Sequence, residues 1–270
     1  MADLQRVALI TGASSGIGRA CADRLASAGW AVTGASRRGT AGAGWTGLAA
    51  DVTDDTAVCA AVESIVTGSG RIDALIASAG YALAGAAECT SIAEAKAQFE
   101  TNFWGCVRAV QAVLPQMRRQ RRGRIVLISS IGGAVGLPFQ AYYSASKFAL
   151  EGFAEALAYE VAPFGVAVTL VQPGNIATNA TANRIRAADG DDSAAYAAAM
   201  TRAVTTMERD ELSGPPAEIV AAAVQRVLES GRPPLRLSVG RPGERVALLA
   251  KRLLPFRAFQ AAAKSSLGVG

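Results

Sequence analysis

The chain has 270 residues, 51% of them apolar and 18% charged, and a net charge of +5. This composition excludes general disorder and supplies core for one large α/β domain or two small ones. There is no histidine, which removes Ser-His-Asp chemistry, histidine-ligated zinc and imidazole bases together.

Val7 to Ile10 reads as a short buried strand, reached from the N-terminus without a secretory leader. A glycine-rich turn follows, then a helix that carries Ile17, Cys21 and Leu25 to the core and ends near Gly29. Ala31 to Ala35 is a second strand, Asp54 to Val66 a helix, and Ala74 to Ala77 a third strand led in by Asp73. Ile92 to Met117 holds one or two helices, and the β-branched run Ile125 to Ile128 is a fourth strand. Tyr143 to Val161 is a helix closed by Pro163, and Val166 to Val171 a fifth strand. Pro215 to Leu228 and Leu235 to Val239 supply a last helix and strand. Strands that alternate with helices build a parallel sheet covered on both faces, and no linker divides residues 1–270 into separate domains.

Two segments stand apart. The stretch 175–214 is polar and alanine-rich without strand character, with Tyr196, Met200, Val204 and Met207 at helical spacing. It reads as a surface helix packed on the core or as a mobile lid, because it follows the fifth strand's C-terminal end, where such sheets bind ligands. The tail, 241–270, sets Leu248, Leu249, Leu253, Leu254, Phe256 and Phe259 among Arg and Lys. Packing against a subunit, closing the pocket and touching a membrane surface are all open to it, and packing is favoured.

The turn Thr11-Gly12-Ala-Ser14-Ser15-Gly16-Ile17-Gly18 follows a strand and opens a helix, the context in which such glycines cradle a pyrophosphate. Backbone N–H groups and the positive helix end attract the anion, and Ser14 and Ser15 add hydroxyl donors. The second strand ends Gly34-Ala35-Ser36-Arg37-Arg38, with no acid in reach to bond a ribose and repel a 2′-phosphate. Arg37 is the expected partner of that phosphate, so NADP(H) is preferred over NAD(H). Asp51 and Val52 are suited to the adenine edge, although Asp51 could equally open the next helix.

Tyr143 and Lys147 stand four residues apart and share a helix face. An ammonium there stabilises a phenolate and draws the tyrosine, which titrates near ~10 when free, toward working pH. Ser130 precedes Tyr143 by thirteen residues. Alternation sends its rival Ser129 to the opposite face, and the lysine spacing selects Tyr143 over Tyr142. A tuned tyrosine beside a dinucleotide site points to hydride transfer to or from a carbonyl.

With these residues the chain resembles the short-chain dehydrogenase/reductase family over nearly its whole length. The glycine turn matches that family's T-G-x-x-x-G-x-G pattern, Asn102 its asparagine, Ser130 its serine, and Tyr143 with Lys147 its tyrosine and lysine. Pro173-Gly174, with Ile176 and Thr178, matches the segment that holds the nicotinamide end. One departure is Ala77-Ser78-Ala79-Gly80, where the family has Asn-Asn-Ala-Gly; Ser78 keeps hydrogen-bonding capacity, and Ala79 and Gly80 still lead past the cofactor. The resemblance implies a Rossmann-like doubly wound parallel sheet in a single domain, with a helical substrate lid. It implies Tyr143 as general acid or base, Ser130 as orienter of the substrate oxygen, Lys147 on the nicotinamide ribose, and Asn102 supporting a water that links Lys147 to solvent.

The pocket is expected to be lined by Ile131 to Gly133, Leu137 to Phe139, Tyr142, the segment after Gly174 and the lid, mostly apolar groups that favour a hydrophobic ketone or alcohol. An acyl-carrier ketoreductase is kept open, and so is a catalytically silent NADP(H)-binding regulator. The run Arg118, Arg119, Arg121, Arg122 and Arg124 reads as a solvated helix end without interleaved aromatics, so nucleic acid is not an expected partner. The four cysteines lack Cys-x-x-Cys spacing and read as reduced and structural, with no metal site, in a cytoplasmic protein. Apolar runs are short and interrupted, so no membrane span is expected. By the resemblance, the helices at Ile92–Met117 and Tyr143–Val161 pair in a homodimer or homotetramer.

Overall fold

The computed structural model describes residues 5–188 and 193–267. The first residues of the N-terminal lead-in, the centre of the 175–214 stretch and the end of the tail lie outside the described residues. The strands are β1 (Val7–Thr11), β2 (Ala31–Ser36), β3 (Thr46–Ala49), β4 (Ala74–Ala77), β5 (Leu83–Ala84), β6 (Gly123–Ile128), β7 (Val166–Pro173), β8 (Ile185–Arg186) and β9 (Arg236–Val239). Seven form one parallel sheet in the order β3-β2-β1-β4-β6-β7-β9, and β5 pairs with β8 in a second, two-stranded sheet. The chain runs outward from β1 in both directions, so a crevice opens between the C-terminal ends of β1 and β4, where doubly wound sheets bind ligands.

Alternation explains the two cores. Val7 and Leu9, Leu75 and Ala77, and Ile125 and Leu127 face one side; Ala8 and Ile10, Ala74 and Ile76, and Val126 and Ile128 face the other. Both sides are covered, which is why these strands read as continuous apolar runs. The first side is packed by α2 (Asp55–Ser69), α4 (Gly105–Gln120) and α5 (Ala141–Val161), through residues such as Val62, Val113, Met117 and Leu150. The second is packed by α1 (Gly16–Ser27) and α7 (Glu218–Glu229), through Cys21, Leu25, Val220 and Val224. Each buried Leu or Ile contributes roughly 1.5–3 kcal/mol relative to exposure.

Local signals set the helix limits. Asp54 caps α2 by accepting from the Thr56 and Ala57 N–H groups, and Gly70 closes it in the left-handed region at φ 71°. Ser91 and Glu94 form a capping box at α3 (Ile92–Phe99). The stretch 92–117, read as one or two helices, is two, joined at Glu100–Trp104 by a π-turn that sequence periodicity does not reveal. Three strands escape the sequence reading: β5, only two residues long, and two others for related reasons. β3 is a half-exposed edge strand without β-branched residues beyond Thr46, and β8 is a two-residue strand within a stretch read as lacking strand character. The remaining helices are α3, already given, α6 (Ser193–Leu212), α8 (Pro242–Leu253) and α9 (Phe256–Leu267).

Candidate active site

At the tip of β1 the backbone folds back on itself. The Gly12 and Ala13 N–H groups both donate to the Ala35 carbonyl, at 2.9 and 3.3 Å. Gly12 has φ 72°, and a Cβ there would lie 2.7 Å from the Ala79 nitrogen, so only glycine lets the tips of β1 and β4 meet. Thr11 Oγ1 ties the same tips together, accepting from the Ser78 and Ala79 N–H groups. Ser15 occupies the N-cap of α1 without a side-chain cap bond, and no acid stands in the helix's first turn. The positive end of α1 therefore faces the crevice uncompensated.

Gly18 corrects one expectation. It does not line the cavity; it is buried, and a Cβ on it would sit 2.4 Å from the Gly12 carbonyl oxygen. Its part is to let α1 start against the turn. Gly12, Ser14, Ser15, Gly16 and Ile17 do line the cavity, as do Arg37, Arg38, Asp51, Val52, Ser78, Ala79, Gly80, Pro173, Gly174, Ile176 and Thr178. Arg37 and Arg38 are both exposed at the end of β2. Asp51 accepts from the Thr53 N–H and hydroxyl, while Asp54 caps α2, so Asp51 is not the helix-opening residue. These residues make a wall that runs from the glycine turn to the end of β7.

β6 ends where the two serines diverge. Both serines line the cavity, but Ser129 Oγ donates to the Glu151 carboxylate at 2.6 Å, whereas Ser130 Oγ accepts from the Gly132 N–H at 3.0 Å. Tyr143 and Lys147 both line the cavity from α5. A Cβ placed on Gly132 would lie 3.1 Å from the Tyr143 ring and 3.3 Å from Ser130 Oγ, so the serine and tyrosine converge on one small volume that Gly132 leaves open. Lys147 is buried and donates from Nζ to the Ile128 carbonyl at 2.8 Å. Tyr142 turns away, its hydroxyl donating to the Ala87 carbonyl.

Asn102 does not reach the cavity wall. It is fully buried behind the loop after β4, in the π-turn. Its Oδ1 accepts from the Tyr81 N–H and its Nδ2 donates to the Tyr81 carbonyl, both at 3.0 Å, with a longer bond to Ser146 Oγ. A Cβ on Gly80 would meet Asn102 Oδ1 at 3.0 Å and Lys147 Nζ at 3.9 Å, which places the asparagine close to the lysine through Gly80. Glu151, one turn beyond Lys147, was not anticipated. It gathers Ser129, Gln172 and Arg236, tying β6, β7 and β9 to α5.

The cavity encloses about 1380 Å³. Beyond Tyr143 it is bounded by Ile131, Val135, Leu137 and Gln140, while Gly132, Gly133, Pro138, Phe139 and Tyr142 are absent from its wall, against expectation. Phe139 is used elsewhere, packing with Met200, Val204 and Met207 of α6 on Ala84. Tyr196, the first residue of that α6 row, bonds Glu88 through its hydroxyl. Arg184 lines the cavity but is committed to Glu211 at 2.5 Å. Of the roles left open for the tail, packing was favoured, whereas Ala247, Leu248, Leu254 and Phe259 of the α8–α9 hairpin close the far end of the cavity. Burial pushes the Cys21 thiol up to about 12 and Cys106 in the same direction, so both stay protonated and unreactive.

The sequence model of the family described as short chain dehydrogenase matches residues 6–189. The chain belongs to that family. This short-chain dehydrogenase is 43% identical over 236 residues to a 3-ketodihydrosphingosine reductase of Bacteroides thetaiotaomicron, covering 87% of this chain and 88% of the relative. It is 40% identical over 193 residues to retinol dehydrogenase 8 of Bos taurus, covering 66% and 61% of the two chains. Among solved structures, a short-chain dehydrogenase from Streptomyces avermitilis superposes with a TM-score of 0.81 at 32% identity, covering 100% and 99%. The protein is therefore an oxidoreductase of the short-chain dehydrogenase type with a doubly wound α/β fold. Among the described residues no helix is long and apolar enough to cross a membrane.

Proposed function

We propose that the protein reduces a hydrophobic ketone to a secondary alcohol with NADPH, and runs the reverse reaction with NADP. The observation that carries this reading is that Ser130 and Tyr143 line the same cavity close to one another, with Lys147 one helical turn along. When bound, the nicotinamide supplies or accepts the hydride. Ser130 Oγ–H donates to the substrate oxygen and orients it. Tyr143 gives its phenolic proton to the same oxygen in reduction and takes it back in oxidation, a contribution of roughly 10²–10⁴-fold. The Lys147 ammonium attracts the negative oxygen left on Tyr143. Asn102 acts through others, fixing Tyr81 and the Gly80 loop beside Lys147.

The preference for NADP(H) is supported by Arg37 and Arg38 at the rim and by the lack of any acid between Ala31 and Arg38. The apolar end of the cavity and the two relatives' names support a long hydrophobic substrate, with 3-ketodihydrosphingosine the first to try. Exposed Trp104 and Tyr159, on the π-turn and α5, support assembly as a homo-oligomer. Titrations of NADPH and NADH test the cofactor, and absorbance at the reduced nicotinamide tests turnover. NADPH should bind about tenfold or more tighter than NADH, and Arg37→Ala should erase most of that gap. Equal affinities would remove the arginine argument. No turnover of any ketone would favour the silent regulator instead.

A further inference from the structure

The α8–α9 hairpin carries two apolar faces. Its inner face, with Leu248, Leu254 and Phe259, lines the cavity, and Lys251 fastens it by donating to the Ala134 carbonyl over the Phe148 ring. The outer face is a different row. Val246, Leu249 and Leu253 recur at helical spacing and are 62%, 56% and 72% exposed, continued by Phe256 at 69%. Three large apolar side chains in one exposed row of α8, with exposed Phe256 opening the next helix, exceed the scattered single residues that a surface ordinarily tolerates. Arg245 and Arg252 lie about one helical turn before and after Leu249, and Arg257 and Lys264 follow on α9. None of these four cations makes an ion pair among the described residues, and all are exposed.

Charge decides what kind of partner fits. Residues 241–270 hold six basic side chains and one acidic, a net +5 that equals the charge of the whole chain. Residues 1–240 are therefore neutral in sum, and the entire excess of positive charge sits on the hairpin. An amphipathic helix with an apolar stripe flanked by unpaired Arg and Lys adsorbs in the plane of an anionic bilayer.

We infer that the outer face of α8–α9 docks the protein on an anionic lipid surface, with the inner face of the same hairpin at the cavity end. The stripe enters the headgroup boundary, the arginines pair with lipid phosphates, and a lipid ketone reaches the active site along the hairpin without crossing bulk water. Delivery of a lipid substrate rests on the proposed reaction; adsorption to the surface does not.

The test uses the full-length protein with vesicles of phosphatidylcholine alone and of equal parts phosphatidylcholine and phosphatidylglycerol. Wild type should co-sediment with the mixed vesicles, far less with phosphatidylcholine, and less as salt is raised. The pair Leu249→Gln and Leu253→Gln should lower the partition coefficient at least about tenfold. The pair Arg245→Gln and Arg252→Gln should lower it about tenfold on the mixed vesicles alone. Both double variants should keep the wild-type melting temperature and NADPH titration, since neither pair touches the cavity wall or the glycine turn. No partition, or partition indifferent to the leucines, overturns the inference. So does a drop in solution mass of the leucine variant without vesicles, which would assign the stripe to a second copy of the chain. Partition without turnover of any carbonyl would sink the proposed reaction and leave the lipid surface standing.

Discussion

Around the glycine turn the cavity wall is made by backbone, held by hydrogen bonds between strand tips: Gly12 and Ala13 to Ala35, Ser78 and Ala79 to Thr11. Across the cavity the wall of α6, α8 and α9 is made by side chains on helices that add nothing to the large sheet. A backbone wall tolerates almost no added volume, because strand tips cannot move apart without breaking the ladder. A side-chain wall can change residue by residue at a modest cost. The first suits a cofactor of constant shape, and the second suits a substrate that varies between relatives.

The comparison breaks most visibly at the residue between the halves. Tyr143→Phe should lower kcat by roughly 10²–10⁴-fold while the NADPH dissociation constant moves less than about twofold. Near-wild-type turnover would remove the tyrosine from the chemistry. On the backbone side, Gly18→Ala forces a Cβ against the Gly12 carbonyl, where 2.4 Å is available. It should cost about 2 kcal/mol in urea unfolding and weaken NADPH binding at least about tenfold. Unchanged stability would show that the turn yields more easily than its contacts imply.

On the side-chain side, Leu248→Ala should raise KM for the proposed hydrophobic ketone about tenfold with kcat nearly constant. The global melting temperature should stay within a few degrees, since α8 adds no strand to the sheet. A loss of kcat instead would place α8 in the reaction geometry.

The smallest effect sits where the halves are stitched together. Glu94 caps α3 and accepts from the Ala188 N–H of the stretch before α6. The Ser91 hydroxyl, followed by the Ala188 and Ser91 N–H groups, holds its carboxyl below the usual 4.5. A carboxylate favoured by folding stabilises the protein above the unfolded-state value and stops doing so as pH falls through the lower folded value. Glu94→Gln should therefore cost no more than about 0.5 kcal/mol at neutral pH, after solvent screening. The difference from wild type should vanish in acid below the usual carboxylate range. Denaturant curves across pH would check it, and a gap that widened in acid would contradict the sign.

The sequence alone determined the parallel sheet, the strand core, the glycine turn and the trio Ser130, Tyr143 and Lys147, because each rests on local chemistry. Alternation, spacing along one helix and the turn's need for glycine are all written in neighbouring residues. Whether Asp51 opens the next helix was settled only by the structure, in which Asp54 caps α2 and Asp51 bonds Thr53. Only the tertiary structure decided that Gly18 packs under the turn, that Asn102 stands behind Tyr81, and that Phe139 and Tyr142 face away from the cavity. It also decided that Glu151 gathers three strands and that the tail closes the pocket with one face while exposing the other. Those outcomes depend on residues tens of positions apart meeting in space, and an apolar row on a helix looks the same in sequence whether it meets a core, a cavity or a bilayer.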